Sequence, residues 1–339
     1  MPSLFDPIQI KNLTCKNRIM MSPMCQYSVT TLDGRPNEWH LIHYTSRAIG
    51  GTGLIMIEMT GVDPDGRITE KDLGLWSDEQ IPSFQRVIES CQKYGAKVGI
   101  QIGHAGRKSL ATDRPVAPSA IPFREGDPLP HEMDRGEIER VIEQFAQAAR
   151  RGIKAGADLI ELHGAHGYLI HQFMSRLSNQ REDLYGEPNQ FASEVIQAVK
   201  SELPSDIPLV MRLSAVEYAE GGYGLEETVE RCQHFQKLGV DAFDISSGGE
   251  SRTAPPPVRV GAPGYQVPYA MEIRKSVDVP VIAVGRLEDP LVAEMVVQNE
   301  QADMIAIGRG MLRNPYWSNE AALALGKEPL TPKPYERAF

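Results

Sequence analysis

Cysteine is scarce in this chain: Cys15, Cys25, Cys91 and Cys232 are the only four in 339 residues, with no CxxC pair and no regular spacing. That argues against both a structural zinc site and a disulfide framework. No window approaches the roughly 18 apolar residues a membrane span needs, and the opening Met-Pro-Ser-Leu-Phe-Asp-Pro has neither a basic region nor a long apolar stretch. No secretory signal is expected from it. A Lys/Arg-rich run is also missing, and 35 basic against 45 acidic residues leave a net charge of −10. A broad polyanion-binding surface is excluded, although a locally basic pocket is not. These absences give the expectation of a cytoplasmic protein acting on small molecules, with neither nucleic acid nor membrane as partner. No composition shift or low-complexity linker divides the chain, so residues 1–339 read as one domain.

Short apolar runs recur instead, each bounded by Gly, Pro or Asp and followed by an amphipathic stretch. They lie at 18–23, 54–60, 98–103, 158–164, 209–214, 242–247, 281–285 and 303–308. Continuous apolar strands are buried on both faces, as parallel strands covered by helices are. Between them, residues 137–155 place Ile138, Val141, Ile142, Phe145, Ala148 and Ala149 on one helical stripe, and 225–238 and 290–298 read similarly. Gly156 and Gly239 each stand where a helix would close before the next strand. Eight strand-then-helix units in a chain of this length predict an α/β fold, a single (β/α)8 TIM barrel. Two stretches interrupt the repeat. Residues 105–130 follow the third strand and 248–266 the sixth, both on the face where a barrel carries its active site. They read equally as lids or as surface decoration.

The strand ends then carry the chemistry. The fourth ends in His163-Gly-Ala-His166-Gly-Tyr168. Two imidazoles so placed could ligate a metal together with Glu161, which shares a strand face with His163. They could equally donate hydrogen bonds to an oxygen that gains charge, or be satisfied structural histidines. Gly164 and Gly167 suit a tight, exposed strand-end turn, which favours function. Gly285 with Arg286, and Gly308 with Arg309, follow strands seven and eight, where barrels frequently bind phosphate. Arg212 interrupts the apolar run 209–213, so it must be paired, for instance with Glu161 or Asp244, or directed at a ligand. Cys25 is a small hydrophobe unless a base adjoins it. Residues 50–53 are Gly-rich without the order of a dinucleotide fold and read as a turn.

Taken together, these segments resemble the old yellow enzyme family of FMN-dependent ene-reductases, in its bacterial thermophilic-like branch. The resemblance runs from Leu4-Phe-Asp-Pro-Ile and Asn17-Arg18 to Tyr335-Glu-Arg337. Its most telling parts are Ser22-Pro-Met-Cys25-Gln-Tyr27, Asp72-Leu-Gly-Leu-Trp-Ser77, Gln101-Ile-Gly-His-Ala-Gly-Arg-Lys108, His163 through His171, and Gly308-Arg309. The resemblance implies bound FMN at the C-terminal face of the barrel, with NADPH or NADH as electron donor and enones or nitro compounds as substrates. Ser22, Pro23, Met24 and Cys25 would line the flavin, Cys25 near its reactive nitrogen. Gln101 would bond the pyrimidine edge and Arg212 the part that becomes anionic on reduction. Gly285, Gly308 and Arg309 would hold the phosphate. His163 and His166 would grip the substrate oxygen, Tyr27 would touch the substrate, and Tyr168 would supply the proton. Arg337, in a C-terminal tail over 329–339, would reach a neighbouring subunit's site in a homo-oligomer, dimer or tetramer.

Three positions depart from the family pattern. Met59 stands beside the flavin where a small residue is usual. The stretch after Gly186 is shortened, and Ala338-Phe339 replaces a closing Gly-Trp. Two rival readings remain on the residues alone: a metal-dependent barrel hydrolase and a non-catalytic FMN-binding barrel. No metal is expected on the first-choice reading.

Overall fold

The computed structural model describes residues 1–251 and 262–338. Eight strands are β1 (Ile19–Met21), β2 (Leu54–Gly61), β3 (Lys97–Gly103), β4 (Leu159–Gly164), β5 (Leu209–Ser214), β6 (Ala242–Ser246), β7 (Val281–Val284) and β8 (Met304–Ile307). Each pairs parallel with the next, and β8 pairs with β1, so the sheet closes. The helices that follow them are α1 (Glu38–Ile49), α2 (Ile81–Gln92), α3 (Arg135–Lys154), α4 (Gln190–Glu202), α5 (Leu225–Lys237), α6 (Val267–Arg274), α7 (Pro290–Gln298) and α8 (Trp317–Ala324). This is the (β/α)8 barrel that the eight apolar runs predict.

Alternation along each strand builds two cores. Ile55, Ile57, Ile160, Leu162, Met211, Phe243, Ile305 and Ile307 point outward and pack under the helices. Met20, Leu54, Met56, Leu159, Val210, Ala242, Ile282 and Met304 point inward and fill the lower barrel. An N-terminal hairpin, Ile8–Ile10 paired antiparallel with Leu13–Cys15, adds Ile8, Ile10, Leu13 and Cys15 to that inner cluster and plugs the floor. Two residues further up β4, β5 and β6 the inward layer turns polar, at Glu161, Arg212 and Asp244. Gln101 stands beside Glu161 across β3 and β4, and Arg212 beside Asp244 across β5 and β6. A layered interior, apolar below and polar above, aims the upper end of the barrel at a ligand.

The caps follow from local sequence. α3 begins two residues before the periodic stripe because Asp134 accepts from the Glu137 N–H while the Glu137 side chain returns to the Asp134 N–H. At its end Gly156 (φ 92) donates to the Ile153 carbonyl and Ala157 to the Gly152 carbonyl. Gly239 (φ 102) closes α5 in the same way, through Gln236 and Phe235. Both are Schellman closures that need a left-handed residue, which glycine adopts without strain. Gly51 (φ 91) turns the chain between α1 and β2, as read.

The stretch 105–130 contains a 3-10 turn, Gly106–Lys108, and a two-residue strand, Val116–Ala117, paired with His131–Glu132. Of the second long stretch, 252–261 lies outside the described residues. Among the described residues no helix is long and apolar enough to cross a membrane.

Candidate active site

The candidate residues stand at the strand ends. After β4 the chain turns through His166 (φ 60) and Gly167 (φ 71) into a short helix, Leu169–Met174. This folds the two histidines and the tyrosine over one another. The His163 ring centroid lies 5.2 Å from that of His166 and 4.8 Å from that of Tyr168, both edge-to-face. Burial, with the Arg212 charge second, holds both imidazoles well below their ordinary pKa of 6.5. They are neutral at pH 7. The Ala165 N–H is directed at His163 Nδ1 (3.4 Å), which leaves the proton on Nε2. His166 Nε2 lies 2.7 Å from Ser246 Oγ. Burial, then Cys25 and Tyr27, raise the Tyr168 phenol, so it is a protonated donor throughout the neutral range.

The β1 end supplies the opposite wall. Ser22 N–H donates to the Ile307 carbonyl (3.1 Å), joining β1 to β8. A Cβ on Gly308 would touch Met24 Sδ at 3.4 Å, so this glycine packs directly against the Ser22–Met24 segment. Pro23 is buried, Met24 and Cys25 are half-buried and Tyr27 is 46% exposed. Burial first, then Glu58 and Asp72, push the Cys25 thiol well above 9.0, so Cys25 is a neutral thiol. Cys25 Sγ and one oxygen each of Glu58 and Asp72 lie within 4.8 Å of one another. Glu58 is already engaged: it accepts from the Gln26 N–H (2.5 Å) and the Tyr44 hydroxyl (3.0 Å). It works as a pin under the β1 loop. A bulge in β2 between Ile57 and Thr60 sets Glu58 and Met59 in place. Met59 is buried, and a Cβ on Gly103 would meet its Cε and Cγ at 3.2 Å. The large side chain at 59 therefore uses room left by the missing one at 103.

The far side is cationic. A polar cavity of about 150 Å³ is lined by Arg212, Gly285, Arg286, Gly308 and Arg309, among others. Gly285 has φ 127, which only glycine adopts easily, and Gly308 caps the short helix Arg309–Arg313. Arg212 Nε lies 3.1 Å from Asp244 Oδ2, yet it is out of line for a hydrogen bond and is left without one. Gln101 donates to Glu161 Oε2 (2.7 Å). Glu161 Oε1 and both Asp244 oxygens take no hydrogen bond. Arg212, its Nε left open, lines this glycine-walled cationic cavity, which suits a ligand with a phosphate and a polar planar edge. Such a donor set fits FMN.

Comparisons agree with this geometry. The sequence pattern of the NADH:flavin oxidoreductase / NADH oxidase family matches residues 3–328. The chain belongs to this family. An NADPH dehydrogenase of Listeria innocua is 47% identical over the whole of both chains. One from Geobacillus thermodenitrificans is 46% identical over 99% of this chain and 98% of the relative. Among solved structures, morphinone reductase superposes with a TM-score of 0.81 at 25% identity, covering 98% of this chain and 92% of that one. A 2-naphthoyl-CoA reductase complex gives 0.88 at 26% identity over 96% of this chain, which spans only 52% of that protein. The protein is thus an FMN-dependent oxidoreductase of the old yellow enzyme family with a nicotinamide electron donor.

Within this flavoenzyme framework, His163, His166, Tyr168, Cys25 and Tyr27 share one region, and Arg212, Gly285, Gly308 and Arg309 another. Arg337 lies on the exposed C-terminal turn Lys333–Ala338, outside both. The histidines do not meet Glu161 in a metal-type cluster. Among the described residues the one such group is Cys25, Glu58 and Asp72, and Glu161 is turned to Gln101. Sequence reasoning gave no role to Lys108, whose Nζ donates to the His166 carbonyl (2.7 Å) and the Gly249 carbonyl (3.1 Å) and lies 5.0 Å from the Tyr168 ring. It also overlooked Glu58, although a carboxylate inside the apolar run 54–61 carries the same signal as Arg212.

Proposed function

We propose that the protein is an ene-reductase, reducing the C=C bond of α,β-unsaturated carbonyl or nitro compounds. The observation that carries this is the His163–His166–Tyr168 cluster: two neutral imidazoles and a protonated phenol packed edge-to-face at one strand end, opposite the Cys25–Tyr27 loop. When bound, FMN supplies the hydride. Ser22, Pro23, Met24, Cys25 and Met59 would line its ring, Gln101 and Arg212 would meet its pyrimidine edge, and Gly285, Gly308 and Arg309 would hold its phosphate. His163 donates from Nε2 to the substrate oxygen, and His166 joins it on leaving Ser246. Two donors aimed at an oxygen that gains charge favour the transition state over the ground state. Tyr168 gives its proton to the α-carbon, and Tyr27 contacts the substrate from the other wall.

We further propose that residues 1–339 form one domain in a cytoplasmic homo-oligomer. Its loop 105–130 would cover the site, and Arg337 would enter a neighbouring subunit's site. The test is anaerobic reduction by NADPH followed by cyclohexenone. Rapid return of the oxidised flavin spectrum supports the reading, and a flavin that stays reduced with every enone and nitro compound offered refutes it.

A further inference from the structure

The turn that carries His166 is strained, and side chains hold the backbone polar groups of both His166 and Gly167. His166 (φ 60) is a non-glycine residue in the left-handed region, and Gly167 (φ 71) follows it. The His166 N–H donates to Ser214 Oγ (3.0 Å), and Lys108 Nζ donates to the His166 carbonyl (2.7 Å). The Gly167 N–H donates to His171 Nδ1 (3.0 Å), and Gln172 Nε2 donates to the Gly167 carbonyl (2.8 Å). A backbone conformation of this kind persists only where its surroundings over-determine it.

His171 is the member whose chemistry is most constrained. It is fully buried, as is Glu217. Because the Gly167 N–H fills Nδ1, the imidazole proton must lie on Nε2, where Glu217 Oε1 and the Tyr223 hydroxyl oxygen both lie at 2.9 Å to accept it. Glu217 is fixed in turn by the Tyr223 N–H on Oε2 (2.8 Å), and the Tyr223 hydroxyl donates to the Ser214 carbonyl (2.9 Å). The chain of contacts therefore runs from β5, through Glu217 and an imidazole whose Nδ1 is an acceptor, to the peptide between His166 and Tyr168. His171 touches neither of those side chains through its ring nitrogens. Glu217 selects its tautomer, and the tautomer supplies the acceptor that the turn requires.

We infer that His171, oriented by Glu217, is a positioning residue that holds the His166–Tyr168 turn in its substrate-binding conformation. This rests on the reading that His163, His166 and Tyr168 bind the substrate oxygen. Its specific requirement is an acceptor at the Nδ1 position. Asparagine can place its Oδ1 there, whereas leucine cannot.

The test compares His171→Leu, His171→Asn and wild-type holoenzyme, each checked first for bound FMN by its absorbance. Each is then titrated with p-hydroxybenzaldehyde, following the long-wavelength band of the phenolate–flavin complex. Leaving the buried Gly167 N–H without an acceptor should weaken this ligand about ten- to a hundredfold in His171→Leu, with FMN retained. The KM for cyclohexenone should rise more than kcat falls. His171→Asn should recover most of the affinity. Ser214→Ala, which frees the neighbouring His166 N–H, should weaken the ligand in the same direction and decides the matter if His171→Leu does not fold. Equal affinity in His171→Leu and wild type, or equal loss in His171→Asn and His171→Leu, would overturn the inference. A wild-type enzyme that binds no phenol would instead overturn the oxygen-binding reading beneath it.

Discussion

Replacing His163 by alanine separates the chemistry of the site from its architecture. The residue is 4% exposed, and among the described residues its one hydrogen bond is the long one from Ala165 N–H to Nδ1 at 3.4 Å. Little polar bonding is lost with it. The stability cost is therefore that of a small cavity, about 1–2 kcal/mol. Catalysis should lose far more. In the proposed role Nε2–H would be one of two donors for the substrate oxygen, and removal of one such donor raises a barrier by about 2.7–4 kcal/mol, or roughly 100- to 1000-fold in rate. The assay is stopped-flow reoxidation of the reduced flavin by cyclohexenone, alongside FMN content and Tm. Bound FMN, a slightly lower Tm and a collapse of the reoxidation rate are expected. Reoxidation within a few-fold of wild type would refute the role of His163, and loss of FMN in parallel with activity would make the residue architectural.

Two other outcomes follow from the same structure. In Tyr168→Phe the hydride-transfer rate should fall by less than tenfold while formation of the saturated product slows further, as expected when only the proton donor is removed; unchanged rates for both would assign the proton to another source. Glu161 provides a pH test. Burial, then the charge of Asp244, raise its carboxyl from 4.5 to about 8. A raised carboxyl contributes stability that is complete below its unfolded pKa and is lost as pH rises through the folded value. Wild-type Tm should accordingly decline between about pH 4.5 and 8, and Glu161→Gln should flatten that decline; an identical slope in the variant would remove Glu161 from the account.

Much of this fold is legible in the sequence, because parallel strands buried on both faces announce themselves as apolar runs and the helices between them as stripes. The polar layer is legible too. Arg212 and Glu161 stand out because a charge inside an apolar strand needs a partner, and strand periodicity puts both inside the barrel. The closures at Gly156 and Gly239 follow from glycine's access to left-handed backbone. What escapes is pairing across long separations. Buried Arg107 and Glu250 form an ion pair across 143 positions, and Lys108 reaches the carbonyl of His166 across 58. No spacing rule links such residues; only closure of the barrel brings them together. The bulge at Glu58–Met59 is equally hidden, since one extra residue in a strand buried along its whole length leaves no mark in the sequence. The N-terminal plug could have been found, as Ile8, Ile10, Leu13 and Cys15 alternate with polar residues in the period of a hairpin.

The central claim is that this barrel passes a hydride to an activated alkene and a separate proton to its neighbouring carbon. Its most direct test is to trace the two hydrogens: the enzyme is reduced anaerobically with NADPH carrying deuterium at the transferred position, in ordinary water, and mixed with cyclohexenone. The account predicts prompt reoxidation of the flavin and cyclohexanone with deuterium at the β-carbon and solvent hydrogen at the α-carbon. Flavin that remains reduced, or a product without β-deuterium, would contradict it.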